Sequence, residues 1–286
     1  MASNDVVGLL LNYRDAVRSV ACIDSLIAEG ISRIVVWDNS EDAGVSAAQI
    51  REVYEDDSRI SVEVSTHNLG FAAGVNHGLR ICRQRHGAMS VLLINNDASL
   101  QKGALAILRD ASREHPKARL ISMDIHHGGR RQGPLHYQRW TGLQFNHPVP
   151  GSFPYPSGCC LWIHDPGTSL RLFDEGFFMY GEDCELGWRL SHQPSSWVHL
   201  SQPLVIHEGA ASSGLGSSFY ETQVVVAHFL LARKLASHRL DSVALLFVRV
   251  PVLMARATRR SLRYRSWVPW LALWRGMRIA REGRGL

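Results

Sequence analysis

The chain has 286 residues, of which 45% are hydrophobic and 20% charged, and its formal net charge is +5 at neutral pH. That is long enough for a sizeable core, as one large domain or a domain with an appendage, and the composition is that of a globular protein. The five cysteines are odd in number and lack C-x-x-C spacing, which excludes a disulfide frame or zinc site and reads as the reduced thiols of a cytosolic protein. The first residues lack a basic segment before an apolar one, and no uncharged apolar run is long enough to span a bilayer, so neither a signal peptide nor a spanning helix is expected. The charge is uneven. From Arg249 onward there are ten Arg, no Lys and one acid, Glu282, so the tail is strongly basic and the body mildly acidic.

In chain order, the apolar run 6–11 reads as a buried strand, and 16–29 as a helix stopped by Gly30. A strand at 31–37, a helix at 45–54, a strand at 60–64, a helix opened by Asn68 and Gly70 and running to about 84, and a strand at 91–94 follow. Strands alternating with helices of this length predict β-α-β units and a mostly parallel sheet over 6–111. A helix at 103–114 and a strand at 120–124 lead into 126–156, which is rich in Gly, Pro, His and Arg and predicts an irregular loop near an acceptor site. Strands at 157–163, 197–200 and 204–206 and helices ending near 191, over 221–236 and from 242 complete the reading.

The chemistry gathers at strand ends. Asn95-Asn96-Asp97 closes the fourth β-α-β strand, where an open α/β sheet binds ligands. One carboxylate flanked by amide oxygens suits a hard divalent cation also held by phosphate, although the same residues make ordinary turns. Asp38 ends the second strand and can accept from a base N–H or a ribose hydroxyl. Gly70 and Gly74 at a helix start permit close backbone approach, and that helix end favours phosphate. Glu182 and Asp183 follow Phe177, Phe178 and Tyr180, so their carboxyls can be desolvated into better bases, or they can simply complement a helix dipole. His207 ends a short strand, where an imidazole can join a carboxylate on a metal; it is also one of 14 histidines. The Gly/Ser run 209–214 has the flexibility of a substrate-ordered loop. In the tail, Trp267, Trp270, Leu271, Trp274 and Met277 fall on one helical stripe beside Arg275, Arg278 and Arg281, a pattern suited to an anionic membrane surface. No nucleic-acid motif accompanies the basic residues.

Leu11-Asn12-Tyr13-Arg14, Asp38-Asn39-Ser40, the run Asn68 to Asn76, Leu93-Ile94-Asn95-Asn96-Asp97-Ala98, the run Phe178 to Leu186 and Ile206-His207 occur in this order. Together they resemble family 2 glycosyltransferases with the A-type (GT-A) nucleotide-sugar fold, and within them the bacterial rhamnosyltransferase-like branch. The resemblance covers 6–236. It implies an α/β glycosyltransferase domain at 1–236, divided into a nucleotide-sugar half (1–111) and an acceptor and catalytic half (112–236), with a helical basic extension at 237–286. It implies that Asp38 binds the base, that Asn12, Asn68, Gly70, Asn76, Asn95 and Asn96 line the nucleotide-sugar pocket, and that Asp97 and His207 hold Mg²⁺ or Mn²⁺. Asp183 matches the catalytic base, with Glu182 beside it. Asn95 stands where the D-x-D element has its first acid. The implied reaction is a single displacement with inversion, from dTDP-rhamnose to a hydroxyl of a glycan or lipid-linked glycan in surface polysaccharide synthesis, at the inner face of the cell membrane. The rivals are a UDP-hexose or UDP-galactofuranose donor, a nucleotidyltransferase, and a catalytically silent membrane-bound nucleotide-binding scaffold.

Overall fold

The structure is a computed structural model, and it describes residues 6–55, 57–87, 90–164, 171–193, 195–208 and 216–282. Its elements are β1 (Val6–Asn12), α1 (Ala16–Ala28), β2 (Ile34–Asp38), α2 (Val45–Tyr54), β3 (Ile60–Val64), α3 (Gly70–His86), β4 (Ser90–Ile94), β5 (Ala98–Leu100), α4 (Ala104–Glu114), β6 (Leu120–His127), β7 (Arg130–Gln132), β8 (Leu135–Gln138), β9 (Gln144–Phe145), β10 (Ser152–Tyr155), β11 (Cys160–Ile163), α5 (Glu182–Ser191), β12 (Trp197–His207), α6 (Ser218–Lys234), α7 (Arg239–Tyr264) and α8 (Val268–Glu282). The chain divides into two compact units.

The first unit holds β1–β7, β11, β12 and α1–α4. Its sheet runs β3-β2-β1-β4-β11-β6-β12-β5, with β7 paired to β6. The expected parallel sheet is the β3-β2-β1-β4 half. β11 then runs antiparallel between β4 and β6, while β6 and β12 are again parallel. Apolar residues of β1, β2 and β4 are almost wholly buried, as expected for strands covered by helices. Helix α1 starts on Asp15, whose side chain accepts from the Arg18 N–H, and stops at Gly30 with φ +89°. Helix α3 lies close on β1 because Gly74 and Gly78 carry no side chain. A Cβ at Gly74 would stand 2.8 Å from Leu11, and one at Gly78 would stand 2.5 Å from Leu9.

The second unit holds β8–β10 and α5–α8. β10-β8-β9 form a small antiparallel sheet. Helix α5 packs on β10 through Gly187, where a Cβ would lie 2.2 Å from the Tyr155 Cβ. Tyr137, Phe153, Tyr155, Phe177, Cys184, Leu231 and Leu235 form one core, and Val225, Phe229, Leu253, Ala257, Leu273 and Ala280 another, around α6–α8.

Two expectations change here. The stretch 126–156 is not irregular: it carries β7 to β10, whose two- to four-residue strands are too short to show a period. The two short strands at 197–200 and 204–206 are one strand, β12, whose register shifts around Pro203. Proline lacks the N–H that the ladder needs.

Candidate active site

In the first unit the C-terminal ends of β1, β2 and β4 line up on one edge of the parallel half-sheet. Asn12 and Asp38 are register partners, and both are fully buried. The Asn12 Nδ2 donates to Asp38 Oδ1 at 2.8 Å and to Ser40 Oγ at 3.1 Å. Asp38 Oδ1 also accepts from the Ser40 N–H at 3.2 Å and from the Ser40 hydroxyl. The other oxygen, Asp38 Oδ2, is buried and takes no hydrogen bond among the described residues. A buried acceptor left unmatched is costly, so the geometry marks a place for a donor.

The Ser19 hydroxyl, on the first turns of α1, links this cluster to the end of β4. It donates to Asn12 Oδ1 at 2.7 Å, and Asn96 Nδ2 donates to it at 3.2 Å. Asn95 is anchored by its backbone, its N–H donating to the Cys159 carbonyl and its carbonyl accepting from Ala98. Asp97 Oδ1 lies 3.1 Å from His207 Nε2. β5, which starts one residue after Asp97, pairs antiparallel with β12 and makes Ala98 the register partner of His207. Burial works against ionisation of Asp97, but the hydrogen bond and charge of His207 outweigh it and hold the carboxyl below its usual range. His207 Nδ1 in turn lies 3.1 Å from Nδ1 of His127, its register partner on β6. Beside them Gln101, His126, Gly128, Gly129, His207 and Glu208 line a groove of about 530 Å³.

Three of the expected residues do local structural work. Asn68 Oδ1 accepts from the Gly70 N–H at 2.9 Å, which starts α3, and Gly70 takes φ +76° there. The Asn76 amide clamps the Phe173 backbone, donating to its carbonyl at 2.8 Å and accepting from its N–H at 3.2 Å. Asn39, of the Asp38-Asn39-Ser40 run, joins β2 to the start of α3 by donating to the Gly70 carbonyl and accepting from the Leu69 N–H. Ser19 and His127 join the site without being among the expected residues. Ser19 carried a weak signal, a hydroxyl seven residues after Asn12; His127 sat in the stretch taken for a loop. The Gly/Ser run after Glu208 lies outside the described residues.

In the second unit, Tyr180 takes φ +68° and Gly181 φ +91° before α5 begins. Two successive left-handed residues turn the chain so that Glu182 and Asp183 open the helix. Glu182 is buried and its Oε2 has no hydrogen-bond partner among the described residues. Asp183 is partly exposed and accepts from the Cys184 N–H at 2.8 Å. Burial pushes both carboxyls up, and the charge of Asp183 pushes Glu182 further. The two titrate as a pair. Glu185 is turned aside to Arg189, at 2.9 Å.

The glycosyl transferase family 2 model matches residues 15–166, more than half of the chain. The chain belongs to glycosyltransferase family 2. Its fold is the GT-A fold of nucleotide-sugar enzymes, as solved structures of low identity show. S. aureus TarS 1–349 in complex with UDP-GlcNAc is similar over 91% of this chain and 73% of that one, with a TM-score of 0.56 and 15% identity. A mannosyltransferase from Pyrobaculum calidifontis in complex with GDP-Man and Mn²⁺ covers 98% and 88%, with a TM-score of 0.52 and 14% identity. GalNAc-T7 with UDP, GalNAc and Mn²⁺ matches 78% of this chain, which spans 48% of that protein's chain, with a TM-score of 0.57 and 12% identity. No curated protein sequence matches this chain.

Two of these similar structures carry Mn²⁺, and the donor set here is compatible with a divalent cation. Asp97 and His207 offer a carboxylate oxygen and an imidazole nitrogen 3.1 Å apart. Among the described residues no cluster of three His, Cys, Asp or Glu could hold an ion. Two protein ligands suit a divalent cation that keeps waters and binds substrate phosphate.

Proposed function

We propose that this family 2 enzyme is an inverting, metal-dependent transferase that moves L-rhamnose from dTDP-rhamnose to a hydroxyl of a glycan or lipid-linked glycan in bacterial surface polysaccharide synthesis. The observation that carries the transferase reading is the pairing of Asp97 with His207 beyond the sheet, on the edge where Asp38 holds an unmatched acceptor. The rhamnose assignment rests on the order of motifs and their likeness to the rhamnosyltransferase branch. A UDP-sugar donor is the second reading, favoured by the UDP-GlcNAc carried by the TarS structure. Asp38 suits both, because thymine and uracil present the same N3–H.

In this mechanism Asp38 receives the base, with Asn12 and Ser40 fixing its carboxylate. Asn95 and Asn96 border the diphosphate. Asp97 and His207 would hold Mg²⁺ or Mn²⁺, which supplies positive charge to the leaving nucleoside diphosphate. Asp183 takes the proton of the acceptor hydroxyl as the hydroxyl oxygen attacks the anomeric carbon, and the glycosidic bond to the diphosphate breaks on the opposite face. Beside it, burial and the charge of Asp183 favour the protonated form of Glu182. We read 1–236 as the transferase and 237–286 as a basic extension that carries it to an anionic membrane surface on the cytoplasmic side, where a lipid-linked acceptor would lie.

A donor screen tests this reading. Purified protein with Mn²⁺ and a panel of dTDP- and UDP-sugars should release nucleoside diphosphate from dTDP-rhamnose, and Asp97→Ala should lose that release. Release from a UDP-sugar alone would overturn the rhamnose assignment. If an added glycan acceptor also gives no turnover with any donor while dTDP still binds, the chain is a silent scaffold.

A further inference from the structure

Helix α7 is amphipathic in reverse. Leu245, Arg249, Leu253 and Ala257 form its buried face. On the opposite side Leu240, Val243, Phe247, Met254 and Leu262 follow helical spacing and lie in the open; Phe247 is 80% exposed, Leu240 77% and Leu262 76%. Pro251 and Thr258 fall on the same stripe, and neither is charged. The stripe is about 33 Å long at helical rise. A face of this length and apolarity on a soluble surface calls for a cover. Trp267 (77%), just before helix α8, and Leu271 and Trp274 (61%) on it are exposed on one side, followed on that side by exposed Arg278 and Arg281. Between α6 and α8 a groove of about 500 Å³ is lined by Phe219, Trp274, Arg275, Arg278 and Ile279, among others.

Charge identifies the occupant. The structure uses some of the tail arginines internally: Arg249 is buried, and Arg256 and Arg260 pair with buried Glu221. Arg259, Arg263, Arg265, Arg275, Arg278 and Arg281 remain exposed, while the two acids of α7 and α8 are paired, Asp241 with Arg139 and Glu282 with Arg278. Two copies meeting through such a surface would oppose like charges. An anionic bilayer instead supplies hydrocarbon for the stripe and phosphate for the arginines. Among the described residues no helix is long and apolar enough to cross a membrane, so α7 would lie in the interface plane.

We propose that α7 and α8 together form one membrane-docking surface, with the apolar face of α7 inserted at the acyl boundary and the Trp–Arg face of α8 at the head groups of anionic lipid. This deepens the reading of the basic extension as a membrane anchor and rests on it. The new content is α7, which bears the larger apolar face.

Flotation of the full chain with vesicles tests it, using phosphatidylcholine alone and phosphatidylcholine mixed with phosphatidylglycerol. The paired substitution Leu240→Ser with Phe247→Ser and the pair Trp267→Ser with Trp274→Ser change only exposed side chains, so the fold is kept and melting temperature checks it. Each pair should weaken partitioning to the mixed vesicles by about tenfold or more, given the area that each withdraws from the bilayer. The α7 loss should persist in high salt, while binding through α8 should fall as salt screens the arginines. Unchanged flotation of the α7 pair, with loss in the α8 pair, would overturn the inference and leave the membrane anchor standing. Failure of the unsubstituted chain to float with either vesicle would overturn both. A dimer that the α7 pair converts to monomer would put a second copy on this face instead.

Discussion

His207 faces His127 across the β6–β12 ladder with Nδ1 to Nδ1 at 3.1 Å, while its Nε2 lies 3.1 Å from Asp97. Only one Nδ1 can donate in that contact. If His207 Nε2 offers its lone pair to a metal, its proton sits on Nδ1 and His127 must accept it. Outer partners of this kind change metal affinity by about 10–100-fold. We expect His127→Leu to weaken Mn²⁺ binding, read by electron paramagnetic resonance of the free ion, by about tenfold. His127→Gln offers an acceptor oxygen and should restore most of it. Equal weakening in both variants would mean that His127 only packs.

In the proposed mechanism Asp183 and Glu182 set the pH dependence. Both carboxyls are raised by burial, and the base must be ionised to accept a proton. Activity should therefore fall as pH drops, with an inflection above the ordinary aspartate range. Asp183→Asn should reduce kcat by about 10²–10⁴-fold and leave dTDP affinity unchanged by calorimetry. A profile flat through the weakly acidic range would remove Asp183 from the base role.

Glu182 also bears on stability. In the unfolded chain it ionises at its normal value, whereas in the folded chain it keeps its proton to higher pH. Between those two points the folded state binds the extra proton, so stability falls as pH rises. Glu182→Gln has no such proton to lose. Its melting temperature relative to the parent should climb as pH rises through that window and level off above it. A constant difference from acid to neutral pH would show that Glu182 is not held protonated.

The legible parts of this chain were those with a long period or a strong stop. β1, β2 and β4 read as apolar runs because both sheet faces are covered, and α2 and β3 kept the expected bounds. Asn12, Asp38 and Asp97 stand out as candidates because each follows or closes an apolar strand with a polar side chain, although the same residues also make ordinary turns. The pairing of Asp97 with His207 was not derivable from spacing, since β5 and β12 are brought together by a three-residue strand that no pattern reveals. The Asn76 side chain, expected at the nucleotide pocket, binds the Phe173 backbone, a tertiary partner 97 residues away that no local pattern reveals. The α7 stripe escaped notice because apolar residues surround that helix, and only burial separates its two faces.

Gly187 gives a purely structural test. Helix α5 approaches β10 so closely that an added Cβ would meet Tyr155 Cβ at 2.2 Å, Tyr155 Cα at 2.7 Å and the Pro154 carbonyl at 3.0 Å. Two of these obstacles are backbone atoms, which cannot swing away. Gly187→Ala should destabilise the fold by about 1–3 kcal/mol in denaturant unfolding, in spite of the better helix propensity of alanine. Since α5 begins with Glu182 and Asp183, turnover should fall as well. A neutral or stabilising effect would mean that α5 can slide on β10.

The unmatched oxygen of Asp38 makes a base-specific prediction. Oδ1 is held by Asn12 and Ser40, which leaves Oδ2 as the acceptor for an incoming N–H. In Asp38→Asn the amide oxygen can keep the Asn12 contact, and the new NH₂ then stands where an acceptor was. Thymine and uracil donate from N3, so dTDP and UDP should both lose affinity, by about 1–3 kcal/mol for two donors left facing each other. Cytosine accepts at N3, so CDP should lose less or gain. Calorimetric titration of the three diphosphates into parent and variant reads this directly. An equal loss across all three would show that Asp38 holds the strand ends in place and does not read the base.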